Sequence, residues 1–317
     1  SLKFMAILYE KTGQYKESAE LFEKYANENS KVDKEAVDFY YNAGLIRDGM
    51  NFFNAALANY QKYFDRSKKR DRSEVLFLMA KIWQKRKNLK QARSYYSQYV
   101  ELNPKNSVAL IESLFQLGVI EEKLGRQKAA DDNFNRTVAV QKSIAKKGTV
   151  VGVSYAAEAK FKLVYRTYDE MRAIKIPANP AQQAKAVQRK LDLISKLKEK
   201  LKEVIRYDDA YMVVAALSLA GQANQHIAAA LFSAPLPKGL TGDQVKEYRD
   251  GVAKVAEPFQ KEALDSYSSA IEKGYRLEGY NDWLKIALTE ASRMDPAKYP
   301  NFGEEAILTK VPDYLEN

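Results

Sequence analysis

His226 is the single histidine of this chain, and it is the residue whose ordinary titration lies nearest neutral pH. As a general base it needs a serine or carboxylate within hydrogen-bond reach. Ser218 and Ser233, seven or eight residues away, are poor candidates, and the expected role is a partly buried structural histidine. There is no cysteine, which excludes disulfides, thiol nucleophiles and thiolate-held metals. One histidine without cysteines cannot build a usual zinc site. The adjacent carboxylates Glu121-Glu122 and Asp131-Asp132 diverge if they lie on helices, so both pairs are expected on solvated faces. Asp208-Asp209 suits the positive end of a following helix. Gly148-x-x-x-Gly152 lacks both a preceding strand and the Gly-Lys-Ser/Thr ending of a phosphate loop. The reading is a non-enzymatic chain with no cofactor and no metal.

Two basic clusters raise a second chemistry, contact with phosphates. One runs from Arg66 to Arg72 with Lys68, Lys69 and Arg70; the other is a segment bearing Lys185, Arg189, Lys190, Lys196, Lys198, Lys200 and Lys202. Nucleic-acid grooves need charge gathered on one face, with aromatics for stacking. Asp192, Glu199 and Glu203 interrupt the second cluster and no aromatic is interleaved, so both are expected as solvated faces. The net charge of +10, from 51 basic and 41 acidic residues, favours an acidic partner or surface. A nucleic-acid or anionic-polymer binder is the alternative function.

The elements that would position these groups follow a period. Ala6, Gly44, Ala80 and Gly118 are 38, 36 and 38 residues apart. Each is followed at three residues by an aromatic, polar or charged side chain (Tyr9, Arg47, Trp83, Glu121) and at twelve by a small one (Ser18, Ala56, Ala92, Ala130). At sixteen stands an aromatic: Phe22, Tyr60, Tyr96 or Phe134. Small residues let two helices approach, and aromatics fill the space around them. Turn signals separate the helices: Lys11-Thr12-Gly13-Gln14, Arg86-Lys87-Asn88 and Leu124-Gly125-Arg126, with Asn103-Pro104 as a stop. A fixed period of this size marks a repeat architecture. The pattern resembles the tetratricopeptide repeat, which implies an all-α right-handed solenoid of antiparallel helix pairs. Regular units are expected over residues 1–145. The first is truncated, and Phe4, Ile7 and Leu8 read as the edge of a longer array.

From residue 146 to 296 the pattern loosens into an irregular helical region. One long helix is expected over Tyr155–Ile174, Pro177-Ala178-Asn179-Pro180 breaks the chain, and an amphipathic helix follows over Ala181–Arg206. The uncharged stretch between Asp209 and Lys238 is interrupted by Gln222, Asn224, Gln225 and His226, which favours a buried helix over a membrane span. The repeat returns with Leu219-Ala220 and Ala223 as its first helix and Ala263, Tyr267 and Ala270 as its second, around an insertion at about 224–258 whose tip is Pro235–Thr241. Trp283, Ile286 and Ala287 begin a capping helix, and residues 297–317 form a tail. Between residues 150 and 300, Tyr155-Ala156-Ala157-Glu158-Ala159-Lys160-Phe161, Ala234–Leu240, Glu257-Pro258-Phe259, Tyr280-Asn281-Asp282-Trp283 and Asp295–Pro300 resemble the C-terminal region of large envelope-associated tetratricopeptide proteins of myxobacteria and related gliding or predatory bacteria. That resemblance implies a scaffold in a bacterial cell envelope, periplasmic or at the outer membrane, with a role in motility or outer-membrane assembly.

In such arrays the first helices line a groove. Equivalent register places Tyr41, Phe77 and Phe115 in a row, three residues before Gly44, Ala80 and Gly118. Leu45 and Val119 follow on the same face, with Lys81, Lys85 and Lys123 as a basic edge. These eight residues are the expected partner-binding set, and the expected partner is a protein or peptide segment carrying acidic residues. Lys3 suits the clamp some relatives use for chaperone tails, but Ile7 stands where that clamp needs asparagine.

Overall fold

The computed structural model describes residues 2–68, 72–102, 104–237 and 239–300. Lys69, Arg70, Asn103, Lys238 and residues 301–317 lie outside the described residues, and with them parts of the first basic cluster, the Asn-Pro stop, the insertion tip and the tail. Contacts divide the chain into two compact units, residues 1–152 and 153–317. The described residues form thirteen α-helices and one short 3-10 helix, with no strand among them. The fold is an all-α helical repeat.

In the first unit the helices pair as α1 (Leu2–Lys11) with α2 (Tyr15–Asn29), α3 (Asp38–Gly49) with α4 (Phe53–Arg66), α5 (Ser73–Lys85) with α6 (Leu89–Glu101), and α7 (Ser107–Lys123) with α8 (Gln127–Ala145). The spacing of sixteen explains the pairing. A Cβ on Gly44 would stand 2.5 Å from Tyr60 Cε1, and one on Gly118 would stand 2.6 Å from Phe134 Cδ1. At these glycines the aromatic ring therefore abuts the facing helix backbone, and Tyr60, Tyr96 and Phe134 are fully buried. Between successive pairs the core is aromatic as well: Phe22 stacks on Phe39 at 5.3 Å, and Tyr25 meets the same ring edge-on at 5.0 Å.

Residues at the third position after the small residue join the units. Arg47 is buried and donates to Glu23 Oε1 at 3.0 Å and Oε2 at 3.2 Å, while Asn59 donates to Glu23 Oε1 at 2.8 Å. One charged group of α3 is thus tied to the second helix of the preceding pair. Glu121 is 3 % exposed and accepts from Arg93 and Arg126. This corrects the expectation of a solvated face: the period places Glu121 at the same inward position as Arg47.

The second unit contains α9 (Val153–Ala173), α10 (Pro180–Ile205), α11 (Ala210–Phe232), α12 (Gly242–Arg276) and α13 (Asp282–Met294). Asn179 caps α10, whose Pro180 sits at the first turn, and Asp209 caps α11 by accepting from the Met212 amide at 3.0 Å. No helix among the described residues is long and apolar enough to cross a membrane. The hidden repeat is present one residue later than the sequence pattern placed it. The small residue is Gly221, whose added Cβ would stand 2.5 Å from Tyr267 Cε1. The register is confirmed by a shared hydrogen bond. Tyr96 donates to Gln84 Oε1 at 2.6 Å, and Tyr267 donates to Gln225 Oε1 at 2.7 Å, each glutamine lying four residues after the small residue. The α11–α12 hairpin is this pair made longer on both arms.

Gly118→Ala and Gly221→Ala are each expected to lower stability by about 1–3 kcal/mol through overpacking. Gly49→Ala, with nothing within 4 Å of the added methyl, is expected to be neutral or to stabilise by up to about 1 kcal/mol. Chemical denaturation of the three variants checks this, and equal effects at all three sites would refute the close-approach account. Tyr60 has a buried hydroxyl with no hydrogen-bond partner among the described residues. Tyr96→Phe and Tyr267→Phe should therefore each cost about 1 kcal/mol, and Tyr60→Phe should cost nothing. The same unfolding measurement reads the difference.

Candidate functional site

The first helices of the regular unit are bridged by side chains at fixed register. Lys85 of α5 meets Asp48 of α3 at 3.0 Å, Lys81 meets Glu112 of α7 at 3.6 Å, and Gln84 donates to Gln116 at 2.8 Å. Tyr41 of α3 donates to Glu74 of α5 at 2.7 Å. Burial, then this bond to a carboxylate, holds the Tyr41 phenol well above its ordinary value, so it stays protonated and donating. α3, α5 and α7 thus share one continuous face, threaded by a ladder of polar contacts.

Seven of the eight expected residues present at least part of their side chains there. Leu45 is 41 % exposed, Lys85 and Lys123 are exposed, and Tyr41, Phe77, Lys81 and Val119 are half-buried. Tyr41 leans on Tyr63 at 5.5 Å; Phe77 leans on Tyr99 at 5.4 Å and carries the Lys81 ammonium over its ring at 5.2 Å. Phe115 is different. Its ring lies 5.9 Å from that of Phe134, as Tyr41 lies 6.3 Å from Tyr60 and Phe77 6.2 Å from Tyr96, but Phe115 is only 4 % exposed, so it belongs to the core and offers a partner no surface. The lysines are not a bare basic edge either: Lys81 and Lys85 are already countered by Glu112 and Asp48. Glu74 and Glu112 escaped the sequence reading. Their signal is an acid three residues before each aromatic of the row: Asp38, Glu74 and Glu112.

Residues 74–106 match the family model of the tetratricopeptide repeat. The matched segment is similar to one tetratricopeptide repeat. It spans α5, α6 and the turn beyond, so Glu74, Phe77, Lys81 and Lys85 all lie on its first helix. No curated protein sequence matches the chain. Among solved structures, the MamA protein is 18 % identical, with 78 % of this chain and 97 % of that one covered at a TM-score of 0.46. YrrB, described as a tetratricopeptide protein with an unusual peptide-binding site, is 16 % identical over 86 % and 98 % of the two chains, also at 0.46. The C-terminal part of a tetratricopeptide-containing protein from Cytophaga hutchinsonii is 14 % identical over 97 % and 98 %, at 0.45.

The catalytic candidates do not assemble. No group of three or more potential metal ligands exists among the described residues. His226 lies on α11 with its Nε2 3.0 Å from the Lys190 ammonium of α10, and among the described residues no serine or carboxylate hydrogen-bonds to it. Lys190, expected on a solvated face, is only 3 % exposed and donates to the Met171 carbonyl at 2.7 Å. Its position on the α10 stripe explains the burial, since it lies three and four residues before the core residues Leu193 and Ile194.

Burial first, then Lys190 and Arg172, push the His226 pKa from 6.5 down to about 4. Between those values the unfolded chain binds a proton that the folded chain refuses. This contribution to stability is complete above pH 6.5 and is lost as pH falls toward 4. On acidification from about pH 7 to pH 4.5, wild type is expected to lose on the order of 1–2 kcal/mol more than His226→Gln, a value discounted for the half-open site. Urea unfolding of both proteins at the two pH values measures it, and parallel losses would refute the assignment.

Proposed function

We propose that the chain is a non-enzymatic protein-interaction scaffold that holds a peptide segment on the shared face of α3, α5 and α7. The observation that carries this reading is Tyr41, Leu45, Phe77 and Val119 on adjoining first helices, with aromatic rings braced from behind by Tyr63 and Tyr99. Braced aromatics lose little side-chain entropy when a partner covers them, and anchors of this kind dominate interface energies. The ladder beside them keeps donors and acceptors available for a bound backbone. A partner carboxylate would meet Lys123 directly, but would have to displace Asp48 or Glu112 to reach Lys85 or Lys81. Selectivity therefore comes chiefly from the apolar anchors, with acidity as a secondary preference. The carboxylates Asp48, Glu74 and Glu112 on the same face disfavour a nucleic-acid backbone there. We place the scaffold in a bacterial cell envelope on the sequence resemblance of residues 150–300 alone. Fractionation of source cells, with the protein found only in cytosol, would overturn that placement.

The binding reading is tested with peptides selected from a random display library on the wild-type protein. Tyr41→Ala/Phe77→Ala is expected to weaken the selected peptides at least roughly thirty-fold, the equivalent of about 2 kcal/mol, with the fold retained. Phe115→Ala is expected to act on stability, by about 3–5 kcal/mol. Failure to select any peptide, or unchanged affinity in the double variant, would refute the assignment.

A further inference from the structure

A cavity of about 310 Å³ opens in the second unit. Its walls are largely apolar, from Ile174, Ile176 and Ala230, with Ser233 at one side and two polar groups inside, Lys190 and His226. Lys190 has three N–H donors. One goes to the Met171 carbonyl and one to His226 Nε2. The third has no acceptor among the described residues, and no carboxylate there pairs with this ammonium. Arg172, the nearest other cation acting on His226, rests over the Tyr168 ring and forms no ion pair among the described residues. The surrounding charges are therefore lopsided. Glu170 is engaged by Arg189, and the carbonyl ends of α9 and α11 supply only partial negative charge against two full positive ones. A buried charge is ordinarily kept by a partner of opposite sign.

We propose that this cavity is a binding site for a small monocarboxylate with an apolar tail, its carboxylate accepting from Lys190 and its tail lying against Ile174, Ile176 and Ala230. The match is between one unpaired buried ammonium and one charge, and between dry walls and a hydrocarbon. A doubly charged phosphate would bring more charge than Lys190 neutralises and leave its remaining oxygens facing alkyl walls. His226 stays neutral in this arrangement, its Nε2 accepting from Lys190 and its second nitrogen carrying the proton.

Because His226 is the single histidine, its ring carbon-bound proton signals report on the cavity without assignment ambiguity. Titration of the whole chain with sodium hexanoate, followed by proton–carbon correlation spectra at pH 7.5, is expected to shift the His226 signals saturably at millimolar concentration or below. Hexan-1-ol, the same tail without the charge, is expected to bind at least tenfold more weakly, and inorganic phosphate not to compete. Lys190→Met is expected to abolish the hexanoate response while melting no lower than wild type, since it removes a buried unpaired charge. Ala230→Leu, which fills the cavity and leaves Lys190 in place, is expected to abolish it too and keeps the test decisive if the first variant misfolds. No saturable shift in wild type, equal affinity for hexanoate and hexan-1-ol, or an undiminished response in a folded variant would overturn the proposal.

Discussion

The contact on which this structure depends is an aromatic ring laid against a helix that has no side chain to resist it. At Gly44, Gly118 and Gly221 there is no room for a methyl group. Hydrophobic burial alone would hold two helices at many crossing positions. A ring fitted against bare backbone holds them at one, because a one-residue slip puts a Cβ into the ring. Register within each pair then fixes everything carried on its first helix. In the pair where Ala80 replaces the glycine, the small methyl leaves the same register, so Tyr41 and Phe77 arrive at equivalent places and Asp48 meets Lys85 in the next unit at 3.0 Å.

The charged groups divide by depth. Glu23, Arg47 and Asn59 form a compact buried set whose members satisfy one another, and Glu121 is enclosed by two arginines. Removing one member of such a set strands the rest, which is far costlier than losing an exposed pair. In the ladder on the face of α3, α5 and α7, half-open lysines meet carboxylates that are largely covered. The buried set keeps the repeats from slipping against one another, whereas the ladder joins their first helices along one face.

Helix existence and pairing were legible because small and aromatic residues are sparse enough for a spacing of sixteen to stand out. Burial at single positions was less so. Phe115 shares the register of Tyr41 and Phe77 and the same ring contact with the second helix of its pair, yet it is buried where they are half-exposed, a difference that no spacing reveals. Lys190 looked like one more lysine of a basic helix. Its burial follows from its phase on the apolar stripe, three residues before Leu193, a signal present in the sequence but masked by the density of lysines around it. Glu74 and Glu112 were missed for a related reason: their partners Tyr41 and Lys81 belong to neighbouring units, and such cross-unit pairs are invisible until the units are laid side by side.

Gly221 and Tyr267 make the contact that Gly44 and Tyr60 make, but they are 46 residues apart in the chain instead of 16. Closing the larger loop costs roughly 0.9 kcal/mol more in chain entropy, by the logarithm of the two lengths. The longer arms repay this only after they have zipped together, and their tip must turn through Pro235 and Pro237 first. The regular pairs each close over a short local segment, whereas the elongated hairpin depends on contacts distant in sequence. On a chain emerging from its N-terminus, the shared face of α3, α5 and α7 is therefore assembled before the cavity around Lys190 exists.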